Sequence, residues 1–146
     1  MPRAKKSLFT LTEMIFIGLM AGLNFVVDII ASPAFKLIFT HIMAGILIMV
    51  PLNFLFLTLT KLLVDKPGSL TIYLVIFGVL SIPTALFGGV AGPYKIVVGL
   101  VIGVLLDIAF FPKNVGIKIA LGAVLGSAFW WIATFTVWQA FNLPLF

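Results

Sequence analysis

The sequence predicts an all-α integral membrane protein: one bundle of five or six transmembrane helices over residues 1–146, with a cytoplasmic N-terminus. Three observations carry that prediction. Of the 146 residues, 63% are hydrophobic and 9% charged, where a soluble domain carries about a quarter charged. Mean hydropathy is +1.33, so water cannot be the only solvent. The apolar residues also fall into five long, unalternating runs, each near the ~20 residues a helix needs to cross hydrocarbon. Runs of that kind form helices rather than barrel strands.

The first run, Leu11–Ile30, follows the basic start "MPRAKKSLFTLTEM". It is too long for the apolar region of a cleaved signal peptide, and Glu13, Asn24 and Asp28 interrupt it, so it reads as a retained span. Glu13 falls in the first turn, where a carboxylate favours the positive end of a helix. Ser32-Pro33 is the expected break. The second run, Ile38–Leu59, contains Pro51, which removes a helix hydrogen bond and predicts a kink eased by Asn53 or a neighbour. Asp65-Lys66-Pro67-Gly68 is the next turn, and Leu70–Gly89 the third run. Gly88-Gly89 through Pro93 leads into Tyr94–Phe111, which carries Gly99, Gly103 and Asp107. Asp107 could pair with Lys113 or Lys118, or polarise the end of a neighbouring helix. After Pro112-Lys113-Asn114 comes the fifth run, Ile117–Trp138. Five spans put the closing "FNLPLF" outside; six would need a further helix or a second run split in two.

Charge supports this orientation. Arg3, Lys5, Lys6, Lys61, Lys66, Lys113 and Lys118 would lie inside, and only Lys36 and Lys95 outside. Seven against two follows the positive-inside rule and predicts a multi-pass protein of the plasma membrane. The basic residues stand singly, with no stripe for nucleic acid. There is no cysteine, phosphate-binding Gly-rich loop, His/Glu metal constellation or nucleophile elbow. The expectation is therefore a non-enzyme that binds no cofactor of its own.

Gly-xxx-Gly pairs occur at Gly18/Gly22, Gly88/Gly92, Gly99/Gly103 and Gly122/Gly126. Inside helices such spacing lets a neighbouring backbone approach closely. On the first helix, Glu13, Asn24 and Asp28 cluster on one side and Gly18 and Gly22 lie away from them, which predicts a polar face turned inward and a smooth face free for a partner. At the outer level, Asn24, Asp28, His41, Tyr94, Lys95, Trp130, Trp138 and Gln139 combine an acid, bases, amides and aromatic faces. That set suits an outward-facing pocket for a small polar aromatic molecule. An interfacial aromatic belt with snorkelling lysines explains the same residues.

The order of elements resembles the substrate-binding S components of energy-coupling factor (ECF) vitamin transporters. The likeness runs from Leu11 to Trp138. It rests on the small-residue face of helix 1 (Gly18, Ala21, Gly22), "Lys-Pro-Gly" at 66–68, "GGVAGPYKIVVGLVIGVLLDIAFF" and "GIKIALGAVLGSAFWW". The layout is most similar to the hydroxymethylpyrimidine/thiamine-type members. The resemblance implies capture of a water-soluble vitamin or precursor from outside. It also implies docking through Gly18, Ala21 and Gly22 on a transmembrane coupling subunit, with two ATPase subunits that use ATP to drive uptake. Two other readings stay open: a stand-alone oligomeric transporter or channel, and a structural subunit of a membrane complex.

Overall fold

The computed structural model describes residues 8–38, 42–86, 91–110 and 114–140, without the side chains of 35–38, 42–48, 118, 121, 130, 133, 134, 137 and 138. Five helices follow in order: α1 Leu11–Ile38, α2 Ile42–Leu63, α3 Ser69–Ser81, α4 Tyr94–Ala109 and α5 Val115–Ala140. No strand occurs among the described residues.

Local chemistry sets most helix ends. α1 opens with a reciprocal cap: the Thr10 N–H donates to Glu13 Oε2 at 2.7 Å, and the Glu13 N–H donates to Thr10 Oγ1 at 3.3 Å. Gly68 takes φ 88°, which a side chain would resist, and so lets the chain turn into α3. Pro93 precedes α4 at φ −72°, already suited to helix entry. Asn114 Oδ1 accepts from the N–H groups of Gly116 and Ile117 at 3.0 and 3.4 Å and caps α5.

Three expected boundaries are corrected. α1 does not break at Ser32-Pro33 but continues through Pro33 to Ile38. Stopping a helix there would orphan up to four carbonyls, whereas an internal proline orphans one. The second run is helical from Ile42 to Leu63, later at both ends than expected, and again passes through its proline, Pro51. α3 ends at Ser81 rather than Gly89, because Pro83 follows directly and cannot extend the ladder. Among the described residues, only Leu11–Ala34, with hydropathy 2.2, is long and apolar enough to cross a membrane unaided. Met49–Leu63, Ser69–Ser81 and Val115–Phe129 are shorter apolar helices.

The helices form a ring in the order α1, α2, α5, α4, α3, with α2 also meeting α3 across the middle. Ile17 and Ala21 of α1, Leu57 of α2, Tyr73, Leu74 and Phe77 of α3, and Ile102 and Leu106 of α4 fill the centre. The polarity is inverted relative to a soluble bundle. Leu11, Leu19, Ile30, Leu63, Val97, Ile108, Val124 and Ile132 are exposed, while Asn24, Asp28, Asn53, Lys61 and Lys95 are buried.

α3 and α4 run antiparallel in the closest contact of the bundle. A Cβ on Gly99 would lie 2.5 Å from the Leu74 carbonyl oxygen. One on Gly103 would lie 2.5 Å from Thr71 Cα, and one on Gly78 would lie 2.7 Å from the Lys95 oxygen. Glycine at these three places is therefore what lets the two backbones touch.

Candidate functional site: a buried polar cluster between three helices

Asn24 and Asp28 stand one turn apart on the inward stripe of α1 that also carries Ile17 and Ala21. Opposite them, α2 presents Asn53. Asn24 Nδ2 donates to Asn53 Oδ1. Asn53 Nδ2 donates in turn to Asp28 Oδ1 at 3.3 Å and to the Met49 carbonyl at 3.0 Å. The second bond returns to its own helix one turn back; the carbonyl that Pro51 leaves without its donor is that of Leu47, so this bond does not supply the expected easing of the proline by Asn53. The first ties α2 to α1. Tyr73 of α3, fully buried, lies beside Asn24. Its hydroxyl and Asn24 Oδ1 are both enclosed without a hydrogen-bond partner. The four residues are 0–6% exposed.

The other three enclosed charges, Asp107, Lys61 and Lys95, are hydrogen-bonded around the two ends of α3. Asp107 of α4 receives the Thr71 N–H at 3.0 Å, the Thr71 hydroxyl at 2.7 Å, the Leu70 N–H at 3.5 Å and the Lys61 ammonium at 2.9 Å. It thus caps the N-terminus of α3 from a neighbouring helix, where the helix dipole favours an anion. Lys61 completes its three bonds on the Lys66 carbonyl at 2.7 Å and Ser69 Oγ at 3.3 Å. At the other end, Lys95 donates to the Ser81 carbonyl at 2.7 Å and to the carbonyls of Thr84 and Leu86. A cation at a helix C-terminus is the complementary arrangement. Of the partners expected for Asp107, the neighbouring helix end is the one found, with Lys61 as its cation; Lys113 and the Lys118 side chain lie outside the described residues.

The residues expected to form an outer pocket separate into several places. Asn24 and Asp28 meet through Asn53. Lys95 is directed at the end of α3, and its three protons are taken by carbonyls. Tyr94 is half-buried, with its ring against Gly92. Gln139 is exposed near the end of α5. His41 and the side chains of Trp130 and Trp138 lie outside the described residues. On the smooth face of α1, Gly18 and Gly22 have open space around them, whereas Ala21 is 0% exposed and faces the core. Ala21 is therefore not part of the outward stripe, because its position follows the 17, 21, 24, 28 repeat of the inward one.

Asn53 and Tyr73 belong to the cluster although neither was expected in it. Each is a polar group in the middle of an apolar run, and that shared signal could have flagged them. Next to Asn53 on the side away from α1 is a cavity of about 20 Å³, lined otherwise by Val50, Phe54, Leu57, Leu74, Ile102, Leu106 and Gly126. It has room for about one water. A larger apolar groove of about 250 Å³ runs between α4 and α5, along Val97, Val101, Leu105, Phe129, Ile132 and Thr136. No group of three His, Cys, Asp or Glu side chains gathers among the described residues. No protein family, curated protein or solved structure matches this chain.

Proposed function

We propose that the chain is a multi-pass plasma-membrane subunit that captures a small water-soluble molecule, of the vitamin or precursor class, for ATP-driven uptake by partner subunits. The reading is that of an S component of an ECF-type importer. The observation that carries it is the inverted polarity: apolar side chains cover the outside of the ring, and the few hydrophilic groups gather within it. Only 22% of the apolar window of α1 is buried, unlike the core helix of a soluble protein, yet α1 is tied to α2 by Asn24 and Asp28. Lipid is the solvent that suits such a surface. Capture would use Asn24, Asp28, Asn53 and Tyr73, and because the cluster is closed, α1 would move away from α2 to admit a ligand. The open stripe at Gly18 and Gly22 is the surface offered to a transmembrane coupling subunit, which in turn would carry the two ATPase subunits.

A structural subunit of a membrane complex is the second reading. It draws on the size of the cavity beside Asn53, about 20 Å³, which is far too small for a vitamin. Mass spectrometry of small molecules that co-purify with the full chain separates the two. The capture reading expects one compound, lost from Asp28→Asn by tenfold or more in affinity. Gly22→Leu should abolish uptake in cells and leave that binding intact. Absence of any bound compound, or equal binding by Asp28→Asn, would overturn it.

A further inference from the structure

The two buried aspartates are compensated very differently. Asp107 has an ammonium, two N–H groups and a hydroxyl within 3.5 Å. Asp28, 5% exposed, receives a single amide N–H at 3.3 Å. The ion pairs among the described residues are Lys61–Asp107 and Lys66–Glu13, so neither reaches Asp28. An enclosed carboxylate with no counter-charge among the described residues is expensive. Beside it lie two oxygens whose residues adjoin but which make no hydrogen bond of good geometry: Asn24 Oδ1, on a residue 2% exposed, and the hydroxyl of Tyr73, 0% exposed.

We infer that Asp28, Asn24 and Tyr73 form a binding site for one monovalent metal cation of sodium size, held between α1 and α3 and braced by Asn53 of α2. The donors are a carboxylate, an amide carbonyl and a phenol, which are hard oxygen ligands suited to a hard ion. One carboxylate balances one positive charge. A divalent ion would call for further acidic groups, and none gathers here among the described residues. The ion uses oxygens that are already idle, so the bonds from Asn24 Nδ2 to Asn53 and from Asn53 Nδ2 to Asp28 persist when it binds. Because its ligands come from two helices and their brace from a third, occupancy locks α1, α2 and α3 together. The ion site concerns the same four residues as the capture reading and differs from it in the ligand, an ion that leaves α1 and α2 in contact.

The test uses the full chain in detergent, with sodium chloride titrated against choline chloride at constant ionic strength. Binding of an ion to the folded state alone raises its stability by RT ln(1 + c/Kd), where c is the free ion concentration. The expected result is a sodium-specific rise in Tm of about 3 °C or more that keeps growing with the logarithm of sodium concentration. That rise should be absent in Asp28→Asn and reduced in Tyr73→Phe, with radioactive sodium retained by the native chain and lost from Asp28→Asn. No sodium-specific rise in the native chain would overturn the site, as would an equal rise in Asp28→Asn. A co-purifying organic compound that is lost from Asp28→Asn, with no sodium-specific rise in Tm, would support the capture reading and overturn the ion site, so failure of the one is distinguishable from failure of the other.

Discussion

Asp107 holds together four partners from two other segments, and Lys61 is the one that carries charge. Lys61 is 4% and Asp107 10% exposed, so water does little to screen the pair. Removing one member of such a pair strands the other, at a cost of about 3–5 kcal/mol. Asp107→Leu and Lys61→Met should each destabilise by that amount in a detergent unfolding titration. The double variant should cost clearly less than the sum, and strict additivity would show that the two charges do not depend on each other. Sequence reading reached part of this: an aspartate deep in a run, with a helix end as one of its candidate partners. It did not reach Lys95, whose acceptors are backbone carbonyls that leave no mark in residue identity. Nor did it join Asn53 to Asn24, 29 positions away. Its proline neighbour gave Asn53 a sufficient local explanation.

At the level of helices, α3 and α4 behave as one unit. Thr71, Leu74 and Gly78 of α3 meet Gly103, Gly99 and Lys95 of α4 in steady antiparallel register. Asp107 and Lys95 grip the two ends of α3 from the same helix, twelve residues apart, or ~18 Å at 1.5 Å per residue. Gly99→Ala and Gly103→Ala should each destabilise by about 1–3 kcal/mol, because their methyl groups would press on backbone rather than on yielding side chains. Gly18→Ala and Gly22→Ala, with no atom near the new methyl, should be neutral or gain up to about 1 kcal/mol from helix propensity. Thermal unfolding of the four variants checks the contrast, and a similar loss in all four would refute it. Spacing alone could not make this distinction. The Gly-xxx-Gly pattern is identical in α1 and α4, and only the presence of a neighbouring backbone separates them.

For the whole molecule, the sequence showed that the chain is helical, that its turns fall near 65–68 and 91–93, and that α1 has two unlike faces. Exact helix ends escaped it: Pro33 looks like a stop and is instead passed through, and α3 ends at Ser81 in the middle of an apolar run. The salt bridges Glu13–Lys66 and Lys61–Asp107 place the α1–α2–α3–α4 contacts they mark at one end of the ring, and Lys95 marks the opposite end. The native chain has no cysteine, so single cysteines report topology cleanly. In intact cells, Ala91→Cys should react with an impermeant thiol reagent added outside, and Pro67→Cys only after permeabilisation; both positions are exposed. Labelling of both from one side would refute a membrane-crossing bundle with its N-terminus inside.

The shortness of α3 has a mechanical corollary. Its 13 residues span only ~20 Å, against a hydrocarbon thickness of about 30 Å, and the ends are pinned by Lys95 and Asp107, so the helix cannot lengthen to match. A bilayer meeting that edge would have to pinch inward or let the bundle lean. The protein would then carry a permanent dimple in the surrounding lipid, deepest beside α3, and neighbours that also prefer thin membrane would be drawn toward that side.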